Sequence, residues 1–181
     1  VDAYFQGLKQ RLAARPAPSL ESQGLKLKEA AVLAPLFLRD GEPWAYLTRR
    51  PMTLRKHPGQ ISFPGGAREP LDTTPLHTAL RETQEELGIA PAQVEVLGVL
   101  GGLPVVTGYY VTPFVGALPS ALHLKPDPTE IEEVLEVPLK RLRAARRVVM
   151  QAERDVFLYG DGAHIIWGAT ARMVKQLLEY V

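Results

Sequence analysis

One arginine and three glutamates fall within six residues, Arg81-Glu82-Thr83-Gln84-Glu85-Glu86, of a 181-residue chain. Carboxylates this close repel one another unless something cationic sits among them. On a helix of about 3.6 residues per turn, Glu82, Glu85 and Glu86 stand at i, i+3 and i+4 and so share a face. Three carboxylates on one face make a hard, oxygen-only site for Mg²⁺ or Mn²⁺, ions that in turn bind phosphate oxygens. Arg81 can pair with a carboxylate in fork geometry and fix the rotamers around such an ion. The Gly65-Gly66 pair upstream lets the backbone approach closely, so that the Gly66 carbonyl can complete the coordination. Read alone, E-x-x-E-E is more often the solvated acidic face of a helix, paired to nearby arginines. The flanking residues reverse that balance.

The elements that position these residues follow from pattern and punctuation. Thr73 to Leu87 reads as a helix, with Thr73 or Thr74 as N-cap, Pro75 in the first turn and Gly88 as terminator. Ala3 to Ala14 carries Phe5, Leu8 and Leu12 at helical spacing, and Pro16 and Pro18 then stop it. Glu29 to Leu38 has strand length, Asp40-Gly41-Glu42-Pro43 makes a turn, and the run from Trp44 reads as the hairpin partner. Val94–Leu100 and Gly108–Leu118 read as strands with a Gly-Gly-Leu-Pro turn between them. A loop is expected at Pro126–Thr129, and Glu130–Leu139 begins as an alternating strand. Val148–Met150 and Val156–Tyr159 form a short hairpin, and Ala169–Tyr180 is an amphipathic helix with Met173, Leu177 and Leu178 inward. The expected architecture is one α+β domain over 1–181, a mixed sheet between helices (an α/β/α sandwich), with residues 1–28 as an N-terminal helical extension.

Charge and composition exclude several classes. Lys and Arg total 21 against 20 Asp and Glu, so a net charge of +1 predicts no bulk attraction to nucleic acid or to an anionic membrane. Without Cys there is no disulfide scaffold, thiolate zinc site or Cys nucleophile. No apolar run reaches the ~18 residues of a membrane span, and the N-terminus lacks a signal-peptide layout, so a soluble cytoplasmic protein is expected. Its four Ser residues form no G-x-S-x-G elbow, and no Gly-Lys-Ser/Thr follows the glycines as in a P-loop.

With these residues in place, Gly-Gly followed by RETQEELGI resembles the Nudix box, G-x5-E-x7-R-E-U-x-E-E-x-G-U, over residues 66–89. Arg81, Glu82, Glu85, Glu86, Gly88 and Ile89 match in register. Two features depart from the pattern. Five residues after Gly66 lead to Asp72 rather than Glu, and eight rather than seven then lead to Arg81; Thr83 replaces a bulky aliphatic. The longer spacing leaves open whether Asp72 holds Arg81. Upstream, LTRRPMTLRKHPGQISFPGG (Leu47 to Gly66) is similar to the signature of the coenzyme A pyrophosphatase branch, which also tends to carry the longer spacing and the Asp. Thr107–Gly116, Glu130–Leu139 and Ile166–Gly168 resemble its later segments.

The resemblance implies hydrolysis of a nucleoside diphosphate linked to another moiety. For coenzyme A the products are 3′,5′-ADP and 4′-phosphopantetheine. It implies Glu82 and Glu86 as metal ligands, Glu85 as third ligand or water bridge, and Arg81 as their orienter. The general base is open between a Glu of the box and Glu130, Glu132 or Glu133, of which Glu133 is the chosen candidate. Arg49, Arg50, Arg55, Lys56 and His57 place five cationic or potentially cationic groups within nine residues, suited to a substrate with several phosphates or simply a solvated hairpin end. Arg141, Arg143, Arg146 and Arg147 read as surface. The alternatives are ADP-ribose or another dinucleotide as substrate, and a module that senses a nucleotide without cleaving it. The resemblance also admits a homodimer.

Overall fold

The computed structural model describes residues 2–14, 26–54, 57–151, 154–160 and 164–181. In chain order its elements are α1 (Ala3–Ala13), β1 (Lys28–Arg39), β2 (Glu42–Arg49), β3 (Ile61–Ser62), β4 (Gly65–Ala67), α2 (Pro75–Leu87), β5 (Glu95–Val99), β6 (Leu103–Val105), β7 (Tyr109–Ala117), β8 (Glu133–Pro138), α3 (Leu139–Ala144), β9 (Arg147–Gln151), β10 (Arg154–Leu158) and α4 (Gly168–Leu177). The first eight strands form one mixed sheet around β1. β7 runs parallel to β1 from Lys28↔Tyr109 to Leu36↔Ala117. On the other side of β1, β4 pairs antiparallel with its first part and β2 with its last. β3 and β8 extend from β2, and β5 and β6 from β7.

The length of β1 follows from residues that are apolar on both of its faces. Ala31, Leu33 and Phe37 point to one side, and Ala34 and Leu36 to the other, all buried. The first set meets α2 through Ala79 and Leu80 and, at the strand end, lies with Tyr46, Leu87 and Ile89. The second joins Phe5, Leu8 and Leu12 of α1, Leu139 and Leu142 of α3, and Met173, Val174 and Leu177 of α4. Helices therefore cover both faces, the sandwich expected of the pattern. Pro35 is tolerated in this central strand because of where it falls. Leu33 N–H donates sideways to Pro64 O (2.9 Å), and Pro35 faces the same side between the last β4 pair, at Val32, and the first β2 pair, at Leu36. No ladder bond is asked of its nitrogen.

Several expectations need correcting. Leu103 and Pro104 belong to strand β6, paired with β7, and are not a turn. Residues 130–132 form a turn and bend, and the strand begins only at Glu133. Helix α3 follows it without a loop, its Leu139 and Leu142 buried one turn apart. Within the basic run, Arg143 does more than face solvent, since its Nη2 donates to Leu178 O (3.0 Å) and Val181 O (2.6 Å) and ties down the C-terminal end. The helix stop at Pro16 and Pro18 lies outside the described residues. Among those described, no helix is long and apolar enough to cross a membrane.

Candidate functional site

Helix α2 starts at Thr74, whose hydroxyl accepts from His77 N–H (3.1 Å), and ends at Gly88 with φ 71°. Its buried face carries Thr78, Ala79, Thr83, Glu86 and Leu87. The small residues Ala79 and Thr83 let the helix lie close to β1, and the Thr83 hydroxyl is satisfied by Ala79 O (2.7 Å). A bulky aliphatic at 83 is therefore unnecessary here. Glu86 continues this buried face and is 4% exposed. Glu85, turned about 100° from it around the axis, has a side chain 59% exposed. The three glutamates thus share a face only in part: one is buried, Glu82 sits at the edge, and Glu85 reaches solvent.

Arg81 is the hub that holds this arrangement. Its Nε and Nη2 donate to Asp72 Oδ1 and Oδ2, both at 3.0 Å, a two-point fork. The same guanidinium reaches Glu82 Oε1 (2.9 Å), Glu85 Oε2 (2.9 Å) and Ala67 O (3.2 Å). Asp72 is 3% exposed and also accepts from Glu69 N–H (2.9 Å) and the Thr78 hydroxyl (3.0 Å). The Arg81 bonds, followed by those of Glu69 and Thr78, outweigh burial and hold its carboxyl well below the usual carboxylate range. Arg81 is stabilised in its charged form by the same pairing. The extra residue between Asp72 and Arg81 therefore does not prevent their contact.

Glu82 lies against Gly66 so closely that a Cβ there would be 2.6 Å from its carboxylate carbon. Any other side chain at 66 would push it away. Burial raises the Glu82 pKa despite Arg81. For Glu86 burial, then the charges of Glu82 and Glu130, push it up to about 8, against a Gly65 backbone hydrogen bond and the Arg50 charge. Glu86 Oε2 is buried and has no hydrogen-bond partner among the described residues. An ionised carboxylate left so is costly, unless a cation sits beside it. Two hard oxygen donors, one of them orphaned, fit Mg²⁺ or Mn²⁺. Among the described residues no three ligating side chains already converge on a common point. Arg81, which draws Glu85 outward, is the visible reason.

The basic segment divides. Arg49 Nη2 pairs with Glu133 (2.9 Å) and more loosely with Glu132 (3.6 Å). Arg50 has no ion pair among the described residues, its Nε is buried without a partner, and its charge is felt by Glu86. His57 sits exposed in a left-handed turn (φ 53°), its carbonyl accepting from Gln60 N–H (3.2 Å). Arg55 and Lys56 lie outside the described residues. Glu133 is placed with Arg49 and with His164, whose Nε2 is 3.2 Å from its Oε2. The carboxylate whose charge reaches both Glu82 and Glu86 from outside α2 is Glu130. Two neighbours of these carboxylates escape sequence reasoning. Asp127 shapes the Glu130 turn, and the Asp-Pro-Thr-Glu spacing carries its signal. His164, by contrast, has none, being a lone histidine ahead of Ile165 and Ile166.

The NUDIX domain family matches residues 27–157. The chain is 41% identical over 163 residues to "Uncharacterized Nudix hydrolase NudL" of Photorhabdus laumondii, spanning 85% of each chain. It is also 41% identical over 169 residues to the protein of the same description from Klebsiella pneumoniae, covering 90% of this chain and 86% of that one. Among solved structures, a MutT/nudix family protein from Enterococcus faecalis superposes with a TM-score of 0.58 at 15% identity, over 91% of this chain and 64% of that one. A binary complex of the C. elegans Ap4A hydrolase gives 0.54 at 20%, over 61% and 80%. At these identities the two structures attest the fold, while the family match and the NudL likeness carry membership. The chain belongs to the Nudix family of hydrolases.

Proposed function

We propose that the protein is a metal-dependent pyrophosphohydrolase that cleaves coenzyme A or its derivatives to 3′,5′-ADP and 4′-phosphopantetheine. The observation that carries the hydrolase reading is the buried Glu86 oxygen, which has no hydrogen-bond partner among the described residues and feels the charges of Glu82 and Arg50. The resemblance of Leu47–Gly66 to the coenzyme A signature carries the choice of substrate. Glu82 and Glu86, with the Gly66 carbonyl, hold Mg²⁺ or Mn²⁺. When bound, the ion neutralises charge on the diphosphate and positions the attacking water. Arg81 keeps Glu82 turned toward Gly66, and Asp72 keeps Arg81 in place. Glu85 braces Arg81 from the solvent side.

The Arg50 charge acts on Glu86, which supports assigning Arg50 to the diphosphate being cleaved. Arg49, already neutralised by Glu133, holds the strand edge beside it. Arg50→Ala is expected to lower kcat/KM about ten- to a hundredfold, the worth of one hydrogen bond to a charged group. Coenzyme A and dephospho-coenzyme A should suffer equally, because both contain the diphosphate. Recognition of the 3′-phosphate then falls to Arg55 or Lys56, whose Ala variants should affect coenzyme A alone. Comparing kcat/KM for coenzyme A, dephospho-coenzyme A, ADP-ribose and NADH in Mg²⁺ or Mn²⁺ tests the substrate. A preference for ADP-ribose would replace coenzyme A and leave the hydrolase reading intact.

A further inference from the structure

A cavity of about 180 Å³ lies between β8, α3 and the chain that leads into α4, with walls of Ile61, Leu135, Val137, Leu142, Ala145 and Ile166. Ile61, Leu142 and Ile166 are buried, and alternation along β8 turns Leu135 and Val137 toward the core shared by α1, α3 and α4. That is the sheet face opposite α2, so the cavity is separate from Glu82 and Glu86. Backbone bonds fix its far wall. Tyr159 N–H donates to Ile166 O (3.1 Å) and Ile166 N–H to Tyr159 O (2.8 Å), which closes the loop between them. Gly160 (φ 92°) makes that closure possible, since a Cβ there would stand 2.2 Å from His164 O. The closed loop sets His164 at the cavity, with its Nε2 3.2 Å from Glu133 Oε2.

The charges around the cavity do not cancel. Glu133 is paired with Arg49 (2.9 Å) as well as with His164. Glu136 alternates to the other face of β8, where Arg39 holds it (2.5 Å). Arg141 of α3 lines the cavity, and among the described residues its side chain makes no ion pair or hydrogen bond. An apolar chamber with such a guanidinium at its edge suits a molecule that is apolar at one end and anionic at the other. Volume sets the size of the apolar end. A cavity of about 150 Å³ with aliphatic and aromatic walls takes up benzene, so this one holds about six carbons and is too small for a nucleotide. We propose that the cavity is a binding site for a small monocarboxylate with a body of that size, its carboxylate on Arg141 and its chain against Leu135, Leu142 and Ile166. The site does not rest on the hydrolase reading, because neither Arg50 nor the Glu82 and Glu86 pair takes part in it.

Isothermal titration of the full chain with hexanoate, without metal or nucleotide, tests this. Saturable binding is expected with a Kd on the order of 1 mM, the range open to so small a ligand. Arg141→Gln should weaken it about tenfold or more. Lys140→Gln, which removes the neighbouring exposed cation, should stay within about twofold of wild type. Ala145→Leu, which fills the cavity, should abolish binding. Hexanol has the body without the charge and should bind about tenfold more weakly, while acetate has the charge without the body and should give no signal. No saturable binding of hexanoate below about 10 mM overturns the proposal. Wild-type affinity in Arg141→Gln or in Ala145→Leu overturns it too, as does hexanol binding as tightly as hexanoate. Arg141 is exposed and Ala145 half-buried, so both variants should fold, and circular dichroism melts check that. Turnover is no part of the readout, so either result leaves the hydrolase reading untouched.

Discussion

Glu86→Gln is expected to lose about a thousandfold in kcat, roughly 4 kcal/mol of transition-state stabilisation, and yet to melt higher than wild type without metal. Both effects come from one oxygen. Glu86 is buried, feels the charges of Glu82 and Glu130, and has no partner for Oε2 among the described residues. Its pKa rises from 4.5 to about 8. A carboxylic acid whose folded pKa is raised contributes its stability below the unfolded value and loses it as pH climbs through the folded one. The metal-free protein should therefore lose stability, on the order of 4 kcal/mol, between about pH 4.5 and pH 8. Added Mg²⁺ or Mn²⁺ should restore it at the alkaline end. Melting curves at pH 5.5 and 8.5, with chelator and with metal, check the sign. A Gln variant that melts no higher than wild type at pH 8.5 in chelator, or that keeps near-native turnover, would contradict the assignment of Glu86.

Asp72→Asn should be the more damaging change to the fold. Oδ2 accepts from Glu69 N–H, the Thr78 hydroxyl and Arg81 Nη2, and Oδ1 accepts from Arg81 Nε. An amide presents only one oxygen, so either orientation sets an N–H against a donor. Removing one partner of a buried pair costs about 3–5 kcal/mol, which for a chain of this size lowers Tm by roughly 10 °C. The pH dependence is opposite to that of Glu86. Asp72 is held below the ordinary carboxylate range, so its contribution is complete at neutral pH and disappears as pH falls through its folded value. Wild type should accordingly lose in acid what the Asn variant lacks throughout. Because Arg81 loses its fork, Glu82 loses its orienter, and turnover should fall even at temperatures where the variant is folded. Circular dichroism melts paired with activity at 15 °C separate the two effects.

What was legible in the sequence was what is local. Helix α2 announces itself through Thr74, Pro75 and Gly88, and the carboxylate spacing predicts the neighbours that the structure brings together, Glu82 and Glu86. The spacing does not predict that Glu85 would be drawn off by Arg81, because that depends on which side of α2 the sheet covers. Asp72 was ambiguous from counting residues, and only the loop path through Glu69 and Thr78 makes the longer spacing workable. Strand β6 and helix α3 leave no readable pattern because each is too short for its periodicity to register. Three residues around Pro104 look like a turn until β7 supplies their partners, and α3 starts at once where β8 ends. The Arg49–Glu133–His164 contact joins segments far apart in sequence, and no local pattern encodes it.

Incubating the protein with coenzyme A and Mg²⁺ or Mn²⁺, and identifying the products by mass, decides whether it is a metal-dependent coenzyme A pyrophosphohydrolase. The expected result is equimolar 3′,5′-ADP and 4′-phosphopantetheine, formed with metal, abolished by chelator, and reduced about a thousandfold in Glu86→Gln. Coenzyme A recovered intact from natively folded protein with either metal, or cleavage that continues unchanged in chelator, would contradict it.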